Sequence, residues 1–128
     1  MIKLLEQIPI AHQDGRRILR EKELEYGACI TYFEILSEQT LGNHYHVVKA
    51  EVFTLLEGAA VWRLQPVHLV DGQIKPLGEI CEIRPAIGSP LAIGPFLAHS
   101  VNLAAGSKMV CLSTHPFDSG DMHAYMLG

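Results

Sequence analysis

Turn chemistry recurs at short, even intervals along this 128-residue chain, and it leaves little room for anything but short segments. Asp14-Gly15, Leu41-Gly42-Asn43, Glu57-Gly58, Asp71-Gly72, Gly88-Ser89-Pro90, Ala105-Gly106-Ser107 and Asp118-Ser119-Gly120 each supply a residue tolerant of positive φ or a preset proline bend. The segments between them alternate in polarity or are rich in β-branched and aromatic residues, as strands on a half-buried sheet should be. Strands are expected at 8–13, 16–20, 28–36, 43–48, 51–56, 59–65, 73–76, 78–83, 91–93, 98–103 and 108–114. Asp14-Gly15 and Asp71-Gly72 read as two-residue hairpin turns. The one helical pattern, 21–26, is too short to bury a stripe of its own. The fold class that follows is all-β: a sandwich or jelly-roll barrel, which removes exposed edges and leaves a mouth for a ligand.

With 48% apolar and 19% charged residues the chain suits one domain with a core of its own. Its formal charge of −4 and lack of a basic block argue against nucleic acid as a partner. The N-terminal run from Met1 meets Glu6 after four apolar residues and one lysine, too short for a signal core or a membrane span, so a cytoplasmic protein is expected. Cys29, Cys81 and Cys111 form no Cys-x-x-Cys pattern and are expected to be reduced, buried and inert.

Seven histidines are present, and their spacing carries the chemistry. His44 and His46 stand two apart on an expected strand, so both imidazoles leave the same face. Glu51 follows a turn around Lys49-Ala50, where the neighbouring strand can aim its carboxylate at the same place. His99 opens the alternating run Ser100-Val101-Asn102-Leu103 and can supply a third imidazole from a facing strand. Such a set suits one divalent transition metal, with zinc, iron, nickel, copper and manganese all acceptable, and leaves room for a small-molecule substrate. The alternatives are a buried polar network for the first three residues and a hydrogen-bonded strand histidine for His99. Other side chains have two readings. His115, at the end of the last strand, is a candidate proton carrier or a solvated residue. Tyr32 either caps the core or protonates an enolate. Trp62 is a barrel wall or a platform for a sugar, and Arg16, Arg17 and Arg20 are a pyrophosphate fork or a solvated edge.

Gly42-Asn43-His44-Tyr45-His46, then Glu51 and Gly58, resembles the first motif of the cupin superfamily, and His99 with Asn102 resembles the second. In the second motif Pro95 stands one place late and Phe96 takes a glycine position; phenylalanine tolerates positive φ poorly, so the turn before His99 is expected to be built differently. The likeness covers about 25–115. It implies a cupin-type double-stranded β-helix as a single domain over 1–128, with an N-terminal strand arm over 1–24, a tail over 116–128, and a metal held by His44, His46, Glu51 and His99. More narrowly, the pentapeptide with Glu51 resembles the C-terminal cupin domain of bifunctional capsular polysaccharide enzymes that epimerise nucleotide-linked 4-keto sugars. Asp14-Gly15-Arg16-Arg17 and His115-Pro116-Phe117-Asp118 are similar to segments of sugar-nucleotide cupins. The resemblance implies an epimerase or isomerase of a keto sugar, with His115 and Tyr32 as catalytic candidates. An iron-dependent dioxygenase and a non-catalytic ligand-binding barrel are the other readings of the same cavity. Barrels of this type pair through edge strands, and 2–20 is the segment expected to reach a second copy in a homodimer.

Overall fold

A computed structural model describes residues 7–127. Twelve strands lie in two sheets, and every pairing is antiparallel. The first sheet runs in the order β1 (Ile10–Gln13), β2 (Arg17–Glu23), β3 (Cys29–Ile35), β11 (Lys108–Ser113), β5 (Glu51–Glu57), β9 (Leu91–Ile93). The second runs β12 (His123–Ala124), β4 (Gln39–Tyr45), β10 (Leu97–Leu103), β6 (Ala60–Val70), β7 (Gln73–Pro76), with β8 (Cys81–Ile83) also on β6. Among the described residues no α-helix forms; the expected helical stretch is the end of β2 followed by a single 3-10 turn, Glu25–Gly27.

Alternation along the strands builds the interior. Phe53 and Leu55 of β5, Met109 and Cys111 of β11, Trp62 and Leu64 of β6, and Val101 and Leu103 of β10 meet between the sheets in one cluster with Ile35 and Ile93. Burying each of these large side chains contributes about 1.5–3 kcal/mol. Glu51 and His99 are in phase with these apolar sets, so the pleat that hides Phe53 and Val101 also carries a carboxylate and an imidazole inward. A smaller cluster of Tyr45, Val67, Ala98 and Leu127 lies apart from the main core.

Local geometry departs from the sequence reading in several places. Asp71 and Gly72 take φ of 52° and 77° and close the β6–β7 hairpin, as expected for a two-residue turn. Asp14 instead opens a longer loop, because Gln13 pairs with Ile18 and the Asp14 carboxylate accepts the N–H groups of Arg16 and Arg17. Leu41-Gly42-Asn43 is no turn: β4 runs through it, with Gly42 and Asn43 both at positive φ and the register against β10 slipping by a residue beside them. Phe96 itself adopts φ of +60°, overturning the expectation of a turn without a left-handed residue there. Its N–H donates to the His46 carbonyl and its ring stacks on Tyr45, which holds the strained backbone in place.

Residues 17–23 form a strand of the first sheet paired along β3, β1 folds back on β2, and 1–6 lie outside the described residues. Within the tail, β12 pairs with β4. Cys29 and Cys111 are buried, but Cys81 is exposed on the short β8, so the expectation of three buried thiols fails at that position.

Candidate metal centre

Three strands and one loop bring the expected ligands together. His44 on β4 pairs directly with His99 on β10, and His46 lies just past the end of β4. The ring centroids of His44 lie 4.8 Å from His46 and 4.7 Å from His99. One ligand atom from each of the three imidazoles falls within 4.8 Å of the others. Glu51, at the start of β5 in the opposite sheet, places Oε1 3.1 Å from Nε2 of His46 and 3.7 Å from Nε2 of His99. Both imidazoles and the carboxylate are buried.

The tautomers follow from the hydrogen bonds on the far side of each ring. Nδ1 of His46 lies 2.7 Å from the Asp121 carbonyl, and Nδ1 of His99 lies 2.9 Å from the Leu97 carbonyl. A carbonyl oxygen can only accept, so each Nδ1 carries the hydrogen and each neutral ring turns an Nε2 lone pair inward. Those two Nε2 atoms and Oε1 of Glu51 are buried without an aligned hydrogen-bond partner. With its Nδ1 hydrogen committed, a neutral His46 would set an Nε2 lone pair against Oε1 of Glu51 at 3.1 Å, an arrangement that is costly unless a proton or a metal cation sits between them. Borderline nitrogen donors plus one carboxylate oxygen, each imidazole oriented by a backbone carbonyl, fit a divalent transition metal.

Electrostatics favours the metal-ready protonation states. Burial, with His99 and His46 nearby, pushes His44 down to about 4. Burial also lowers His99, outweighing the Leu97 carbonyl and the Glu51 charge. Burial alone would raise Glu51, but His46 and the Lys49 charge hold its carboxyl below the usual range. Imidazoles kept neutral and a carboxylate kept ionised are what metal ligation requires.

The centre opens into a cavity of about 310 Å³, walled by apolar side chains that include Phe33, Leu41, Phe53, Trp62, Val101 and Met109. Trp62 belongs to the core, 2% exposed and packed on Phe53 with ring centroids 4.8 Å apart. Of the three arginines only Arg17 lines the cavity, donating from Nη1 to Gln39; Arg16 stays beside Asp14, and Arg20 donates to the Ile8 carbonyl, so no fork forms. Neither expected proton carrier is among the described residues lining the cavity. Thr31 and Phe33 line it, which places Tyr32 between them on the other face of β3. His115 is exposed beside a separate small pocket, its Nδ1 2.7 Å from Thr114 Oγ1.

Two residues that the sequence reading gave no role stand at the centre instead. Lys49 lines the cavity with Nζ 3.8 Å from Oε2 of Glu51. Asp121 holds His46 through its backbone, a contact with no side-chain signal in the sequence. The buried thiol of Cys111 points at Oε2 of Glu51 at 3.6 Å; burial, and then the carboxylate charge, raise it well above the ordinary thiol range, so it stays protonated.

No protein-family model and no curated protein sequence matches the chain. Solved structures do match its fold. The capsular polysaccharide assembling protein CapF from Staphylococcus aureus superposes with a TM-score of 0.72 at 19% identity, over 96% of this chain and 34% of its own. This chain therefore spans about a third of the length of that protein. KdgF from Halomonas sp. superposes with a TM-score of 0.62 at 10% identity, over 88% of this chain and 90% of its own. WlaRA, a TDP-fucose-3,4-ketoisomerase from Campylobacter jejuni, gives 0.56 at 15% identity, over 73% of this chain and 64% of its own. The shared architecture is the cupin fold.

Proposed function

We propose that this cupin binds one divalent metal ion through His44, His46, His99 and Glu51 and uses the adjoining cavity to isomerise or epimerise a keto sugar. The observation that carries the metal half is the meeting of two inward Nε2 lone pairs and a carboxylate oxygen in a buried site. The sugar half takes support from WlaRA, a TDP-fucose-3,4-ketoisomerase with the same fold.

Moving a proton next to a carbonyl develops negative charge on the carbonyl oxygen. When bound, the metal supplies Lewis acidity toward that oxygen. Lys49 adds a positive charge on the same side of the cavity, and the apolar walls exclude water and strengthen both effects. At about 310 Å³ the cavity lies at the small end of ligand sites, so it seats a single ring and leaves a linked nucleotide at or beyond the mouth, beside exposed Phe117 and Met122.

Deuterium wash-in tests this reading. Metal-loaded protein in D2O is expected to introduce deuterium next to the ketone of a nucleotide-linked 4-keto sugar. Protein stripped of metal and His46→Ala are expected not to do so. Failure of the loaded protein across a panel of keto sugars overturns the assignment. The predominantly apolar wall favours a second reading, oxygen chemistry on a less polar small molecule at a ferrous centre. Its signature is iron-dependent oxygen uptake. Tight ligand binding without either activity would mark a binding barrel.

A further inference from the structure

We propose that Asp121 is a positioning residue for the metal centre: its carbonyl fixes the tautomer of His46 while its carboxylate locks the loop that links the ligands of β4 to Glu51. The proposal rests on the metal reading above and adds to it a residue from the chain's last segment. Four consecutive residues converge on Asp121. His46 donates from Nδ1 to its carbonyl at 2.7 Å. The Val47 N–H donates to Oδ1 at 2.8 Å, the Val48 N–H is shared between Oδ1 at 3.1 Å and Oδ2 at 3.3 Å, and the Lys49 N–H donates to Oδ2 at 3.0 Å.

The loop 46–50 has no strand partner to satisfy these amides, since β4 ends at Tyr45 and β5 starts at Glu51. One carboxylate accepts from three of them, a charge-assisted cradle that fixes where the loop lies. The same three N–H groups, with burial working against them, hold the Asp121 carboxyl below its usual range. Immediately after Asp121 the chain joins the second sheet, with His123 paired to Tyr45 and Ala124 to His44. Asp121 thus connects a sheet-anchored tail to the loop, and its carbonyl is held where the Nδ1 hydrogen of His46 needs it. Losing the carboxylate frees the loop, lets the His46 ring turn, and removes the bias that points Nε2 inward.

Zinc binding to the metal-stripped full chain, measured against a competing chelator below every variant's melting temperature, tests this. Wild type is expected to bind one equivalent. Outer-shell partners of metal-bound histidines typically tune affinity by about 10–100-fold, and Asp121→Ala is expected to weaken binding within that range. Asp121→Asn, which keeps one acceptor oxygen, is expected to fall between the two and decides the matter if the alanine variant does not fold. Ile35→Ala, in the main core cluster but neither lining the cavity nor in these bonds, serves as the control for general destabilisation. Nitrogen-15 NMR of the metal-free protein at pH 8 is expected to show the Nδ1–H tautomer of His46 in wild type and a mixture in Asp121→Ala. Unchanged zinc affinity in both Asp121 variants, or equal weakening in Ile35→Ala, overturns the positioning role. Failure of wild type to bind zinc, cobalt, nickel, manganese or ferrous iron overturns the metal reading instead.

Discussion

A carboxylate oxygen that faces two ring nitrogens, each with an Nδ1 hydrogen committed elsewhere, leaves Oε1 of Glu51 buried without a hydrogen-bond partner in the metal-free protein. Glu51→Gln brings N–H donors to the same place. The metal-free variant is expected to be more stable than wild type by about 1–2 kcal/mol, while its zinc affinity drops. A chelator-treated melt in which wild type equals or exceeds the variant would contradict this. His44 gives the metal-free protein a pH dependence of defined sign. Its folded value of about 4 lies below the ordinary 6.5, so between these limits the unfolded chain takes up a proton that the folded chain refuses. The stabilisation is complete above about 6.5 and is lost as pH falls toward 4. The melting temperature of metal-free protein should fall across that window, less steeply in His44→Gln, and parallel slopes would refute the assignment. The convergence of His44, His46, Glu51 and His99 was legible in sequence because each sits in phase with an alternating strand or two places from a residue that does. The contribution of Asp121 was not, because a backbone carbonyl has no residue-specific signature.

At the scale of elements, β4 and β10 approach so closely that the backbone at Gly42 admits no side chain. A Cβ there would stand 2.7 Å from the His99 carbonyl and 3.1 Å from the Ser100 Cα, and φ is +95°. Gly42→Ala is expected to push β10 outward, lowering both the melting temperature and the zinc affinity because His99 moves with its strand. Stability loss with unchanged affinity would show that the strand yields elsewhere. Phe96 poses the opposite case. Left-handed backbone costs a non-glycine residue about 1–2 kcal/mol, and here the ring stacked on Tyr45 offsets it. Phe96→Ala keeps the strain and loses the ring, whereas Phe96→Gly loses the ring but relieves the strain, so the expected stability order is wild type, then glycine, then alanine. Denaturant titration that ranks alanine above glycine would disprove it. Strand positions were largely readable from alternation and turn residues. The left-handed Phe96 and the bulge in β4 were not, since both depend on contacts between segments far apart in sequence.

For the whole molecule, an ion held by the proposed set would bind only the folded arrangement, so saturating zinc should raise the melting temperature and chelation should reverse the gain. Equal melts with and without zinc would mean the four ligands hold no ion. We expect the chain to pair with itself through the edge segment 2–20, and a sedimentation mass near twice 14.1 kDa checks it. The order of strands in the first sheet has a temporal consequence. β11 lies between β3 and β5, with Met109 opposite both Phe33 and Leu55, although β3 and β5 are made long before it. On the ribosome the segment through β5 therefore emerges with a gap in its sheet, and with His99 of the proposed metal set still missing, until β10 and β11 have been synthesised. Slow closure of the first sheet, waiting on β11 to slot between β3 and β5, is the behaviour expected of this wiring.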